Sequence, residues 1–196
     1  TRARLFRDVG NVVMDLNGVE NIKLNALAGA DTITVSDLTG TGVTQVNLDL
    51  GRIDGAADTV TINGTPGNDA IKVSNNNGII TVSGLAETVT LANFEAGDQL
   101  VINGFTGNDT IDASALRPNL VKLTLNGGDG DDFIVGSQGD DLIDGGRGND
   151  TLLGGTGNDT FTWNPGDGSD IIEGQSGADT LQFNGANINE KIDITA

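Results

Sequence analysis

Between residues 127 and 182 a nine-residue unit recurs six times, and no other feature of the chain restricts its fold so closely. The first four units read GGDGDDFIV (127–135), GSQGDDLID (136–144), GGRGNDTLL (145–153) and GGTGNDTFT (154–162). After Trp163 and Asn164 come PGDGSDIIE (165–173) and GQSGADTLQ (174–182). The template has glycine at positions 1, 2 and 4, aspartate at position 6 and a large apolar residue at position 8. The first four units depart from it at one glycine, replaced by Ser137. A fixed short period of this kind marks a stacked repeat architecture before any local propensity is weighed.

The spacing makes chemical sense. Glycines at positions 1, 2 and 4 permit positive φ and close backbone approach, so the first six residues can coil into a turn with inward carbonyls. Position 6 supplies a carboxylate. Positions 7 to 9 form a short strand whose middle side chain faces the core, here Ile134, Ile143, Leu152, Phe161, Ile172 and Leu181. Two units make one 18-residue coil, which places Asp132 over Asp150 and Asp141 over Asp159. The Trp163-Asn164 insertion moves Asp170 and Asp179 to 20 residues from Asp150 and Asp159, and predicts that the last pair of sites is distorted or weaker. Stacked carboxylates and carbonyls offer only oxygen. That suits a hard cation with a flexible shell of roughly 6–8 oxygens, which is calcium rather than magnesium. With neither cysteine nor histidine in the chain, zinc, iron and copper sites do not fit. Gly-Asn-Asp runs also form plain turns, but six units in register outweigh that reading.

The block resembles the RTX, or haemolysin-type calcium-binding repeat, family of secreted bacterial proteins. The resemblance implies a right-handed parallel β-roll with calcium ions held between successive turns. The implied ligands are the position-6 carboxylates of Asp132, Asp141, Asp150, Asp159, Asp170 and Asp179. With them go the position-2 and position-4 carbonyls of Gly128, Gly130, Gly139, Gly146, Gly148, Gly155, Gly157, Gly168 and Gly177. It also implies type I secretion and folding outside the cell, hence a secreted or cell-surface location.

A looser motif runs upstream, in LNALAGADTI (24–33), INGTPGNDAI (62–71) and INGFTGNDTI (102–111), which put Asp31, Asp69 and Asp109 at position 6. Half-matches place Asp58 and Asp98 ahead of the last two, and the offset of 40 residues suggests a longer duplicated block. Partners of these aspartates are not 18 residues away and the second glycine is mostly lost, so hydrogen bonding within their own turns leads and ligation is the weaker reading. Strand-forming runs such as TITVSDL and GIITVSGL fill the spaces between, and no helical period competes. The expectation is one continuous all-β solenoid. It has an irregular part with an N-terminal cap (1–126), a regular calcium-binding roll (127–182) and a C-terminal cap (183–196), since open ends expose core.

Composition limits the alternatives. Ten basic residues against 28 acidic give a net charge of −18, which disfavours nucleic acid and anionic membrane as partners and suits divalent cations. Six Phe and one Trp leave a thin, aliphatic core. No apolar run reaches the ~18 residues of a membrane span, and the start without Met or a charged-then-apolar leader is expected of a fragment. No HExxH, G-x-S-x-G or phosphate-loop motif is present, and a triad lacks its histidine. The expected function is therefore a non-catalytic, calcium-dependent folding module of a larger secreted protein. Alternatives are the non-catalytic part of a secreted enzyme (protease, lipase or polysaccharide-modifying) and an adhesive or ice-binding surface. A single threonine among the position-3 residues, Thr156, argues against the last.

Alternate units belong to opposite sheets. One outer face then shows Phe133, Val135, Thr151, Leu153, Ile171 and Glu173, and the other shows Leu142, Asp144, Thr160, Thr162, Thr180 and Gln182. The apolar Phe133-Leu153-Ile171 strip predicts a contact with the C-terminal tail (Ile188, Ile192, Ile194), a second copy or the parent protein.

Overall fold

The structure, a computed structural model, describes residues 1–7, 11–51 and 53–195. Among these residues the chain is all-β, without helix. Strands β1 (Ala3–Arg7) and β2 (Val12–Leu16) pair antiparallel as a separate hairpin. The chain then alternates between a nine-stranded and a seven-stranded sheet. It runs through β3 (Asn21–Asn25) in the larger, β4 (Thr32–Val35) in the smaller, β5 (Gln45–Asp49) in the larger and β6 (Thr59–Asn63) in the smaller. Strands β7 (Ala70–Asn76), β8 (Ile79–Ser83) and β9 (Thr88–Ala92) all stay in the larger sheet. Strict alternation resumes with β10 (Gln99–Thr106), β11 (Thr110–Ala115), β12 (Lys122–Asp129), β13 (Phe133–Val135) and β14 (Asp141–Arg147). It continues through β15 (Thr151–Leu153), β16 (Thr160–Trp163), β17 (Ile171–Glu173) and β18 (Thr180–Phe183), the even numbers in the smaller sheet. Parallel neighbours in two alternating sheets are consistent with a β-roll.

The all-parallel expectation needs one correction beyond the N-terminal hairpin. Strand β8 runs antiparallel to both β7 and β9. The reversal comes at Asn77-Gly78, both with positive φ (49° and 77°), as a tight two-residue hairpin turn requires. This detour lengthens one coil and accounts for the 40-residue offset. Thr59 pairs with Gln99 and Ala70 with Thr110, so the duplicated blocks stack on one another.

Side chains alternate in and out along each strand, and the core lies on the inward set. Upstream strands bury two side chains apiece, such as Val60 and Ile62, Leu100 and Ile102, or Leu123 and Leu125. In the nonapeptide region the buried side chains are the position-8 residues Ile134, Ile143, Leu152 and Phe161, as the spacing predicts. Burial fades at the C-terminal end, where Ile172 is half-buried and Leu181 is 50% exposed.

Two further expectations change. The insertion does not shift the stack, because Thr151 still pairs with Ile171 and Thr160 with Thr180. The extra residues are absorbed at the corner after β16, where the Asp167 carboxylate accepts the Asn164 N–H at 2.5 Å. There the Trp163 ring also lies on that of Phe183, centroids 4.2 Å apart. The sorting of outer faces holds, with Phe133, Thr151 and Ile171 in one row and Val135, Leu153 and Glu173 in another. The tail does not cover this strip. Ile188, Ile192 and Ile194 are all exposed, as are Phe133 and Ile171, since no strand of 184–195 joins either sheet.

Candidate metal centre

The glycine-rich turns stack along both edges, and their aspartates form ladders. On one edge the backbone N–H of Asp69 donates to Oδ1 of Asp109 (2.7 Å) and that of Asp109 to Asp132 (2.7 Å). Asp132 donates in turn to Asp150 (2.8 Å) and Asp150 to Asp170 (3.0 Å). The other edge carries two shorter runs. Asp31 donates to Asp58 and Asp58 to Asp98 (2.8 and 2.9 Å), then Asp141 donates to Asp159 and Asp159 to Asp179 (2.9 and 3.0 Å). They are separate because Asp141 lies just past the 116–121 loop, whose Pro118 Cα approaches within 3.1 Å of where a Gly139 Cβ would stand. The step along a ladder is 18, 20, 23, 27 or 40 residues. Strand register, rather than residue count, brings the aspartates together.

Position 5 forms a second ladder that sequence reasoning missed. The side-chain oxygens of Asn108, Asp131 and Asn149 accept the position-5 N–H of the following turn, at 3.2, 2.8 and 3.2 Å. Asp140 accepts likewise from Asn158 at 2.7 Å. The available signal was the recurrence of Asn or Asp at that position, in Asn68, Asn108, Asp131, Asp140, Asn149 and Asn158. A position that each time points a carbonyl or carboxylate oxygen along the stack is one that favours Asx.

Position 6 uses only one of its two oxygens in the ladder. Oδ2 of Asp31, Asp109, Asp132, Asp150 and Asp159 is buried with no hydrogen-bond partner. In the last four turns this atom lies against the position-1 glycine, so a Cβ on Gly104, Gly127, Gly145 or Gly154 would strike it. Positions 2 and 4 are equally confined. A Cβ on Gly146 would strike the Gly128 carbonyl, and one on Gly148, Gly157, Gly168 or Gly177 the carbonyl of Gly130, Gly139, Gly148 or Gly157. Gly128, Gly130 and Gly155 face the carbonyls of Phe105, Gly107 and Ser137. Each of these turns thus aims a backbone oxygen at the next, and at the glycines named only hydrogen fits.

Among the described residues, no three acidic side chains lie close enough to hold an ion by themselves. A cation at these turns would therefore draw on backbone carbonyls as well. Burial raises the carboxyls of Asp132 and Asp141 to about 7 and that of Asp150 to about 6, with neighbouring carboxylates adding to the effect. Asp109, Asp159 and Asp170 move upward for the same first reason. A buried acceptor without a partner costs about 1–3 kcal/mol, and more when charged. A bound cation would relieve both the missing partner and the like-charge crowding. The hard, all-oxygen donor set fits calcium.

Not every predicted ligand is in this state. Asp141 accepts the Ser137 N–H (2.5 Å) and hydroxyl (2.8 Å), and Asp69 accepts the same two groups from Thr65 (2.6 and 3.1 Å). At the C-terminal end Asp170 is half-buried and Asp179 exposed, since the core beneath them thins. Asp109, read from the sequence as a turn former, is 2% exposed with an open Oδ2 and groups with Asp132 and Asp150.

The RTX calcium-binding nonapeptide repeat matches the chain in four copies, over residues 101–115, 126–161 and 166–185. The matched segments hold Asp109 and all six position-6 aspartates of 127–182, and leave out Asp31 and Asp69. Repeats of this kind bind several calcium ions per repeat region and are found in secreted bacterial proteins. No curated protein matches the sequence.

Proposed function

We propose, from the premise that this chain carries RTX calcium-binding nonapeptide repeats, that it is a calcium-dependent folding and stability module of a larger protein exported by type I secretion. The observation that carries this reading is the row of buried carboxylate oxygens without partners on Asp109, Asp132, Asp150 and Asp159. Ions between successive turns would be held by these carboxylates, with Asp170 and Asp179 at the end of the stack. Carbonyls of Gly128, Gly130, Gly139, Gly146, Gly148, Gly155, Gly157, Gly168 and Gly177 complete the donor set. Calcium supplies positive charge and cross-links neighbouring turns, and no reaction is assigned to the chain. Repeat regions of this kind are generally non-catalytic, so any enzymatic activity belongs to the parent protein. In this reading 1–126, 127–182 and 183–196 form one continuous right-handed β-roll. The Phe133-Leu153-Ile171 strip then meets the remainder of the parent chain or a second copy.

Binding energy and folding energy are shared when a site does not exist in the unfolded chain. Calcium titration followed by circular dichroism should therefore show cooperative gain of β-structure, with a midpoint of roughly 10⁻⁴–10⁻³ M, the range of extracellular calcium modules. A full β spectrum in EDTA would overturn the proposal.

One observation favours a second reading, the adhesive or ice-binding surface. Outward residues of the seven-stranded sheet align as Thr34, Thr61, Val101, Thr124, Leu142, Thr160 and Thr180. A hydroxyl column does exist, built from position 7 in the nonapeptides (Thr160, Thr180) and from the third residue after the aspartate upstream (Thr34, Thr61), although Val101 and Leu142 interrupt it. Thermal hysteresis of the folded protein tests this reading, and its absence rejects the ice-binding form.

A further inference from the structure

The turns fall into two kinds, and the backbone at position 2 separates them. Leu27 (φ 78°), Phe105 (80°), Gly128 (120°), Gly146 (87°) and Gly155 (102°) all lie in the left-handed region. The aspartates of these same five turns, Asp31, Asp109, Asp132, Asp150 and Asp159, are those whose Oδ2 is buried and unpartnered. Gly166 (112°) and Gln175 (70°) are left-handed too, in the turns of the more exposed Asp170 and Asp179. Ser137 and Thr65 occupy position 2 without positive φ. Both turn their N–H and hydroxyl onto their own aspartate, and both hydroxyls accept the N–H of position 4, from Gly139 (3.0 Å) and Gly67 (3.1 Å). Two turns 72 residues apart (137 − 65) thus close in the same way. Leu27 and Phe105 keep a conformation that L side chains rarely adopt. Strain held at a particular site is a reason to look for what the site does.

We infer that position 2 decides whether a turn's carboxylate is available to calcium: a left-handed residue leaves it open, whereas Ser137 and Thr65 close Asp141 and Asp69 into metal-independent staples. The inference rests on the calcium reading above. An ion at Asp141 would have to displace two hydrogen bonds and strand a buried N–H and a hydroxyl. A second observation agrees. Both clamps stand at the N-terminal end of a ladder, Asp69 before Asp109 and Asp141 before Asp159, whereas the run from Asp31 begins with an open carboxylate. Beneath Asp141 lies the 116–121 loop instead of a glycine-rich turn, and in the adjoining cleft Arg117 and Lys122 face Asp140 and Asp141 and offset their charge without a cation. The Asp141 clamp therefore sits where half of an ion cage is missing, and seals that end of its row.

Bound calcium per chain, measured by equilibrium dialysis with calcium alone, tests the inference on the whole chain. Ser137→Gly should bind about one ion more than the wild type. Phe105→Ser should bind about one ion fewer, because a hydroxyl there can reach Asp109. Asp141→Asn should leave the ion count unchanged. Loss of an ion in Asp141→Asn, or unchanged counts in both of the other variants, overturns the inference while leaving the calcium reading intact. If Ser137→Gly does not fold, Phe105→Ser and Asp141→Asn decide the matter. A wild type that binds no calcium would instead reject the functional reading itself, and this inference with it.

Discussion

The coils upstream of residue 126 and those of 127–182 build the same ladder of aspartates from different materials. Upstream strands bury two aliphatic side chains each, among them Val60, Ile62, Leu100 and Ile102, and full burial of such a side chain is worth about 1.5–3 kcal/mol. Strands of the nonapeptide region bury about half as much, in turns that hold 15 of the chain's 30 glycines. Twelve acidic residues there face a single basic one, Arg147. Hydrophobic burial supports the upstream part, while the nonapeptide part sets a thinner core and its backbone hydrogen bonds against crowded negative charge. On the calcium-dependent reading proposed above, the difference teaches that a fold can be held constant while the force that stabilises it passes from core to cation.

The largest effect that would break or sharpen this contrast is chelation. Hydrogen exchange in EDTA should show protection lost across 127–182 and retained in β6, β7, β10 and β11. Equal loss in both halves would dissolve the distinction. Next in size are single ligands. Asp150→Ala removes an open carboxylate from mid-ladder, and even outer-shell changes at metal sites cost about 10–100-fold in affinity. Asp109→Ala should match it in a calcium titration despite its irregular spacing, whereas Asp69→Ala should act on turn stability with little change in the midpoint. An Asp109 variant that binds like wild type would restore residue spacing as the criterion.

A smaller effect concerns pH. With folded values raised to about 7 for Asp132 and about 6 for Asp150, the metal-free folded state binds protons more tightly than the unfolded chain. In EDTA, stability contributed by these groups should be complete below pH ~4 and lost as pH rises through about 6 to 7. With calcium the sign reverses, because protons compete for the same oxygens, and affinity should fall as pH drops from about 8 to 5. Urea melts at two pH values with and without calcium would check this, and parallel trends would refute it. Smallest is the relief of strain. Gln175 (φ 70°) and Leu27 (φ 78°) occupy position 2 in the two halves. Changing either to Gly should raise stability by about 1 kcal/mol, a few degrees in melting temperature. Gains confined to one half would show that the two kinds of turn are not equivalent.

Much of the strict region could be read directly. Ile134, Ile143, Leu152 and Phe161 are buried where a period of nine places them, and Asp132 lies under Asp150 as an 18-residue coil demands. Upstream, spacing misled, because the β7-β8-β9 detour adds residues without moving the stack and so hides Asp109 from an argument based on distance along the chain. The insertion at Trp163-Asn164 was hard to judge for the same reason, since a corner can absorb residues that a strand cannot. The Ser137 lapse was visible but its meaning was not. Whether a side chain at position 2 merely fills space or turns onto Asp141 depends on the sign of φ, which a one-letter pattern does not carry.

Ladder steps of 18, 20, 23 and 40 residues have a consequence for how such a gene can change in length. Any insertion or deletion that begins and ends at equivalent points of two coils leaves every carboxylate with an N–H before it, whatever its size. Loss of one nine-residue unit, by contrast, would carry all following strands to the opposite sheet. Asp150 would then arrive on the edge that Asp159 now occupies, and the Phe133 strip would lose its continuation in Ile171. Lineages carrying this repeat should accordingly differ by whole coils, or by loops at the corners, and only rarely by an odd number of units.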